Sequence, residues 1–145
     1  LILTYPTMDE EIVILNKYIQ TATTYALGQI RPVIQPEDIR SIQKDLASVY
    51  VEPHIVSYIA QVVNETRNHT NLYLGASPRA SLAILKLAKV IAMMAERSFV
   101  IPDDVQYVAP FVLNHRILLT PEAEMRNITT FDVISDILKN VEVPR

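Results

Sequence analysis

Four prolines divide the middle of this chain into segments that have the pattern of helices. Pro36, Pro53, Pro78 and Pro102 each precede a run in which apolar residues recur every three or four positions. Proline is well tolerated at the first position of a helix, because its missing N–H would have no partner there, but it disrupts a helix interior. We therefore expect four helices that begin at these prolines.

Helical patterns also mark both ends of the chain. Thr7 and Glu10 have the three-residue spacing of a capping box, in which each side chain accepts a hydrogen bond from the other residue's backbone. The helix that follows is expected to fade near Leu27-Gly28. A last helix is expected from about Phe131 to Val141, where apolar residues again recur at helical spacing.

The remaining segments are predicted to be irregular. Residues 68–75 are expected to form a connecting loop, and residues 116–126 a loop or a short hairpin arm. Pro110 is expected to break or kink the helix that begins at Pro102. Residues 1–5 resemble the end of a strand whose neighbouring strands are missing, which suggests a piece of a longer protein.

The composition agrees with an all-α fold, a small bundle of five or six helices with a short strand at the N-terminus. Half of the 145 residues are hydrophobic, a fifth are charged, and only two are glycine. A chain of this length is expected to form one domain, or one small domain with an attached tail, and to bury roughly two-thirds of its unfolded surface.

Several classes of function are disfavoured by what the sequence lacks. The net charge of −3 and the absence of a basic run argue against nucleic-acid binding. Without cysteine, neither a disulfide nor a thiolate zinc site can form. His54, His69 and His115 each lack a histidine one helical turn away, so we expect no metal site. Two isolated glycines cannot form a phosphate-cradling loop, and we predict no catalytic residue. Neither a membrane span nor a signal peptide is expected.

One helix start carries a residue that the helix itself does not favour. Ser77 suits the N-cap, Pro78 suits the first helical position, and Arg79 then falls in the first turn. A cation there opposes the helix dipole, whereas an anion would be attracted to it. Arg79 is therefore either an anion-contacting residue or a surface arginine that merely follows a cap. Arg67, just before the preceding loop, is expected to pair with an acidic neighbour.

The order of these motifs resembles that of a known family, the MoxR-type AAA+ ATPases. The resemblance is closest over residues 72–119. It rests on Leu74-Gly75-Ala76-Ser77-Pro78-Arg79-Ala80, which looks like the sensor 2 motif, followed by Glu96-Arg97, Val100-Ile101-Pro102-Asp103-Asp104-Val105 and Val112-Leu113-Asn114-His115-Arg116-Ile117. Tyr5-Pro6-Thr7 and Thr66-Arg67 fit the same pattern.

The resemblance implies a helical lid that closes over ATP held by a separate core domain. Residues 1–7 would be the end of a core strand and a linker, and residues 8–145 the lid. Arg79 would contact the terminal phosphate of ATP, and Ser77 and Pro78 would set the start of its helix. ATP and Mg²⁺ would be the cofactors of the full-length ATPase, whereas the fragment alone would be inactive.

The resemblance also implies partners. The lid would contact its own core AAA+ domain within a homo-oligomeric ring in the cytoplasm. The complete protein would have a chaperone-like role and act with a von Willebrand factor A-domain protein. Two other interpretations stay open: a free-standing helical interaction module without nucleotide function, and a helical nucleic-acid binder, which the acidic balance disfavours.

Overall fold

A computed structural model describes residues 5–21 and 31–144, apart from the side chains of residues 20 and 21. The described part contains seven helices and two short strands: α1 (Met8–Thr21), α2 (Pro36–Ser48), α3 (Pro53–Asn68), β1 (Leu72–Leu74), α4 (Pro78–Met94), α5 (Pro102–Leu113), β2 (Leu118–Leu119), α6 (Pro121–Met125) and α7 (Thr130–Asn140). The chain divides into two compact units, residues 1–39 and 40–145. The all-α fold class predicted from the sequence is confirmed.

The first unit contains α1, whose predicted capping box is confirmed. The Glu10 carboxylate accepts a hydrogen bond of 2.8 Å from the Thr7 backbone N–H and one of 2.9 Å from the Thr7 hydroxyl. Both bonds lower the pKa of Glu10, and the bond from the Thr7 backbone contributes most. The predicted end of the helix at Leu27-Gly28 and the predicted strand at residues 1–4 lie outside the described residues; Tyr5 itself is not in a strand.

All four prolines that were expected to open helices do so: α2, α3, α4 and α5 begin at Pro36, Pro53, Pro78 and Pro102. Of the expected break or kink at Pro110, the break is wrong, because α5 continues to Leu113, whereas the kink stays a prediction. Val112 and Leu113, which follow the proline, are buried. Their packing in the core explains why the helix continues past a residue that lacks a backbone N–H.

The core of the second unit lies between α3, α4, α5 and α7. On α4 the buried residues recur every four positions, at Ala80, Ile84, Ala88 and Ala92. Three of these four are alanines, which allow a neighbouring helix to approach closely. Leu82, on another face of the same helix, is 58% exposed. One face of α4 therefore builds the core, and the half-buried Leu85 and Ile91 pack against that core from its sides.

The two segments predicted to be irregular meet in a small antiparallel sheet. β1 comes from the segment before α4, and β2 from the segment after α5, with Leu72 opposite Leu119 and Leu74 opposite Leu118. The prediction of a loop at residues 68–75 is therefore wrong in part. The second segment also contains α6, which the sequence analysis missed; the hydroxyl of its N-cap, Thr120, accepts a hydrogen bond from the Ala123 N–H.

The segment that follows α2 is fixed to the end of α4 by backbone hydrogen bonds. The Tyr50 N–H donates to the Ser98 carbonyl at 2.8 Å, and the Val100 N–H donates to the Tyr50 carbonyl at 3.1 Å. The ammonium group of Lys89 on α4 donates to the carbonyls of Leu46 and Ala47, each at 3.3 Å. Lys89 thereby satisfies carbonyls at the C-terminus of α2, which have no partner within the helix.

Candidate functional site

The N-terminus of α4 is the place where the sequence predicts contact with an anion. Ser77 occupies the N-cap with extended backbone angles (φ −81°, ψ 166°), and Pro78 takes the first helical position. The Ser77 carbonyl accepts a hydrogen bond of 2.8 Å from the Ala80 N–H. The Ser77 side chain, however, makes no capping hydrogen bond. Ser77 therefore starts the helix through its backbone and leaves its hydroxyl exposed.

Arg79 lies in the first turn of α4 and points away from the core. Its side chain is exposed, whereas the next residue, Ala80, is fully buried. No residue in the described ranges forms a hydrogen bond or an ion pair with the Arg79 guanidinium. A helix N-terminus thus carries an exposed cation that forms no ion pair with a carboxylate in the part of the chain that the structure describes.

The segment just before α4 is attached to the last turn of α3. We call this contact the α3–α4 junction, formed by Thr66 and Arg67 on one side and Gly75 and Ala76 on the other. The Ala76 N–H donates to the Thr66 hydroxyl at 2.9 Å, and that hydroxyl donates to the Val63 carbonyl at 2.6 Å. Thr66 and Ala76 are both buried. An unpaired N–H in such a place would cost the full desolvation of the group.

Arg67 completes the junction from the outer side. Its Nε donates to the Ala76 carbonyl at 2.9 Å, so the expectation that Arg67 pairs with an acidic neighbour is wrong. The carbonyl is the nearer acceptor because the β1–α4 segment runs across the end of α3. Both backbone polar groups of Ala76 are therefore bound by adjacent residues of α3.

Gly75 allows the two segments to come this close. A Cβ atom at this position would lie 2.5 Å from the Thr66 carbonyl oxygen, 2.6 Å from the Arg67 Cα and 2.7 Å from the Arg67 nitrogen. All three are backbone atoms, so no side chain could move aside. The glycine is needed for space and not for an unusual φ, since its φ is not positive.

The start of α4 presents hydrogen-bond donors whose chemistry suits an anion. Arg79 offers a planar set of N–H donors suited to phosphate, and the α4 N-terminus adds its dipole. Within the described residues, no group of three or more histidine or acidic side chains is placed to hold a metal ion. His54 and His115 form no such group, and His69 contacts Asp136, with 3.3 Å between Nε2 and Oδ2.

The sequence analysis identified Ser77, Pro78 and Arg79 as site residues, but it did not predict the contacts of the α3–α4 junction. Thr66 and Gly75 are nine residues apart, and nothing in the local pattern indicates that they touch. The sign available in the sequence was the place of Thr66-Arg67 in the family pattern, because the burial of the threonine hydroxyl is seen only in the structure. In the described part of the chain, no helix is long and apolar enough to cross a membrane.

Comparison with known families gives one match over the region that contains this site. Residues 64–137 match the model of the AAA lid domain. The matched range begins two residues before Thr66 and ends within α7, so it includes the junction, α4 and α5.

Individual relatives agree with that match. The chain is 37% identical to the uncharacterized protein YeaC of Bacillus subtilis and 33% identical to the chaperone MoxR1 of Mycobacterium tuberculosis, over 97% of its length in both cases. The chain covers 43% of the length of YeaC and 38% of the length of MoxR1. A solved structure, that of a proposed ATPase from Cytophaga hutchinsonii, matches 99% of the chain with a TM-score of 0.75 and 28% identity, over 45% of its own length.

The chain thus spans less than half the length of the proteins that it resembles, and the matched part contains the start of α4 and the helices packed around it. The family match, the relatives and the all-helical fold agree with one another. The chain belongs to the AAA lid domain family and is a lid of the MoxR type of AAA+ ATPase.

Proposed function

We propose that this lid closes over ATP bound by a core AAA+ domain and detects the terminal phosphate through Arg79. The observation that carries the proposal is the exposed Arg79 guanidinium, which has no partner among the described residues and stands in the first turn of α4. Ser77 and Pro78 support it by fixing where the helix begins.

The physical argument concerns the charge at this helix end. A cation beside the exposed N–H groups of a first turn costs several tenths of a kcal/mol. A phosphate bound there would interact favourably with both the guanidinium and the helix dipole. Because ATP has a γ-phosphate and ADP lacks it, this contact exists in only one nucleotide state. A ligand shifts a conformational equilibrium only through such differential contacts.

The rest of the nucleotide site would come from outside this chain. With only two glycines, the sequence has no loop that cradles phosphates. We therefore assign the phosphate-binding loop and the Mg²⁺ ligands to a core domain. We further assign residues 1–7 to the end of the last strand of that domain and a linker, and residues 8–145 to the lid. On this assignment the chain alone neither hydrolyses ATP nor binds it tightly.

The relatives suggest a biological setting. The M. tuberculosis relative is named a chaperone. By likeness to it, we propose a chaperone-like role for the complete protein. From the resemblance of the motifs to the MoxR family, we further propose a homo-oligomeric ring in the cytoplasm that acts with a von Willebrand factor A-domain protein. The net charge of −3 agrees with protein partners better than with nucleic acid.

The direct test is Arg79→Ala in the protein that carries both core and lid. We expect steady-state ATP hydrolysis to fall by roughly 10- to 100-fold, as for loss of a charge-assisted contact of about 1.5–3 kcal/mol. The melting temperature should not change, because an exposed substitution alters stability by less than about 0.5 kcal/mol. Arg79→Lys should restore activity only in part, since lysine lacks the planar fork of donors.

Lys86→Ala is the matched control, because Lys86 is an exposed cation on the same helix. It should hydrolyse ATP at the wild-type rate. Wild-type turnover and nucleotide affinity in Arg79→Ala would contradict the proposal. Lost turnover together with a collapsed melting temperature would mean that Arg79 is a structural residue.

A further inference from the structure

We infer that Thr66 and Arg67 are positioning residues, which hold the start of α4 so that Arg79 meets the terminal phosphate. The inference rests on the proposed function of Arg79 and extends it to two side chains on a different helix. Neither residue is expected to touch the nucleotide itself. Both act on the backbone of Ala76, three residues before Arg79.

The first argument is the way in which Ala76 is held. Its N–H donates to the Thr66 hydroxyl at 2.9 Å, and its carbonyl accepts from the Arg67 Nε at 2.9 Å. Two adjacent side chains of α3 thus bind the N–H and the carbonyl of the same residue. The orientation of Ala76 is fixed, and with it the direction in which the chain enters the helix at Ser77.

The second argument is that the backbone is conformationally restricted on both sides of Ala76. Before it, Gly75 lies against the backbone of Thr66 and Arg67 so closely that a Cβ would meet backbone atoms at 2.5–2.7 Å. After it, the extended Ser77 and the ring of Pro78 restrict the chain, and Ala80 is fully buried. The backbone of Arg79 is therefore fixed from both directions, although its side chain is exposed.

The third argument comes from the chemistry of the Thr66 side chain. A threonine in a helix can satisfy its own hydroxyl by donating to a carbonyl of the preceding turn, and Thr66 does so with Val63. The free lone pairs of that hydroxyl accept the Ala76 N–H, so a single buried group joins α3 to the β1–α4 segment. Valine has a similar shape and would fill the same space, but it cannot accept this bond.

A purely structural role would predict a loss of stability alone. A positioning role predicts a loss of catalysis that depends on Arg79, since a misplacement on the order of 1 Å can cost about 100-fold in rate. The two roles are separated by a double-mutant cycle, in which residues that act through one another give non-additive effects.

The experiment uses the protein with its core domain and measures kcat and KM for ATP. The variants are Thr66→Val and Arg67→Met, each alone and combined with Arg79→Ala. In protein that retains Arg79, we expect Thr66→Val and Arg67→Met each to lower kcat by at least about fivefold. The loss should stay smaller than the roughly 100-fold expected for a displacement of 1 Å. In the Arg79→Ala background each should lower kcat by less than about twofold, because the residue they position is gone.

Two further variants serve as controls. Thr66→Ser keeps the hydroxyl and should restore most of the activity that Thr66→Val loses. Arg116→Met removes an exposed arginine elsewhere in the same unit and should leave kcat unchanged. If Thr66→Val fails to fold, Arg67→Met decides the question, because Arg67 is exposed and its loss leaves the core intact.

The outcomes separate this inference from the proposed function. Wild-type turnover in Arg79→Ala would overturn the proposed function and this inference together. Slow turnover in Arg79→Ala, with wild-type kcat in folded Thr66→Val and Arg67→Met, would overturn only the positioning role. Equal losses of kcat in the presence and absence of Arg79 would also overturn the positioning role, since Thr66 and Arg67 would then act independently of Arg79.

Discussion

The guanidinium of Arg97 binds the carboxylate of Asp104 through two hydrogen bonds, one of 2.9 Å from Nη1 to Oδ2 and one of 2.6 Å from Nη2 to Oδ1. Asp104 is 3% exposed and Arg97 24% exposed. The carboxylate also accepts the Ile101 N–H at 2.9 Å, so it satisfies the start of α5 as well. The hydrogen bond to Asp104 raises the pKa of Arg97. The pair therefore joins the end of α4 to the start of α5.

Arg97→Ala should destabilise the lid, because it leaves a buried carboxylate without its cation. We expect the free energy of unfolding to fall by about 2–4 kcal/mol, at the lower side of the range for a broken buried pair since Arg97 is partly exposed. Urea denaturation measures it. Arg116→Ala, at an exposed arginine, should change stability by less than about 0.5 kcal/mol. Equal stability of the two variants would contradict the role of the pair.

Glu96→Gly should stabilise the protein. Glu96 follows α4 with φ of 57°, a left-handed conformation that disfavours residues with a Cβ. The Arg97 N–H donates to the Ala92 carbonyl and the Glu96 N–H to the Met93 carbonyl, the pattern of a helix end that usually contains glycine. We expect a gain of roughly 0.5–1 kcal/mol in the unfolding free energy.

Asn127 provides the comparison for that prediction. It has the same φ of 57° after α6, but asparagine tolerates this conformation better than glutamate. Asn127→Gly should therefore stabilise less than Glu96→Gly in the same denaturation experiment. A loss of stability in Glu96→Gly would show that the glutamate side chain makes a contribution larger than its backbone cost.

The acid stability of α7 should depend on Asp132. Its carboxylate accepts hydrogen bonds from the Thr129 hydroxyl at 2.6 Å and the Thr129 N–H at 2.8 Å, and these bonds lower its pKa, the hydroxyl contributing most. A group with a lowered folded-state pKa stabilises the fold above its unfolded pKa. That contribution is lost as the pH falls below about 4 and through the folded pKa.

Thr129→Val should therefore raise the pKa of Asp132 towards the value of an unperturbed aspartate. Carbon-detected NMR titration of the Asp132 carboxyl group in the wild type and in Thr129→Val measures the shift. An unchanged pKa of Asp132 in Thr129→Val would refute the capping box as the cause.

Ile84→Ala should cost far more stability than Leu82→Ala, although both lie on α4. Ile84 is fully buried, whereas Leu82 is 58% exposed. We expect a loss of about 2–5 kcal/mol for Ile84→Ala, from the lost burial and the cavity left behind. Leu82→Ala should cost less than about 0.5 kcal/mol, as other exposed positions do. If chemical denaturation showed similar losses of unfolding free energy for the two variants, α4 would pack against the core with a different face.

The helix starts were predictable because they depend on local chemistry. A proline at the first helical position and the Thr7–Glu10 capping box involve residues within one turn of each other. The box formed by Thr129 and Asp132 has the same spacing, and the same reasoning would have found it. The start of α4 at Pro78, which places Arg79 in the first turn, follows from the same rule.

The contacts of the α3–α4 junction were not predictable, because they join residues nine or ten positions apart that belong to different elements. Strand β1 was assigned to a loop since its partner, β2, lies more than forty residues away. Arg67 was expected to find an acid, but the carbonyl of Ala76 is nearer once the segment folds over α3. The failure at Pro110 has the same origin, since packing on both sides of the proline outweighs its local effect.

The central claim, that Arg79 distinguishes ATP from ADP, is tested most directly by nucleotide affinity. Titration calorimetry on the protein with its core domain would compare a non-hydrolysable ATP analogue with ADP, in wild type and Arg79→Ala. Our account predicts that the substitution weakens the analogue by about tenfold or more, as expected for a lost charge-assisted hydrogen bond, and leaves ADP affinity nearly unchanged. Equal weakening of both nucleotides, or no weakening of either, would contradict it.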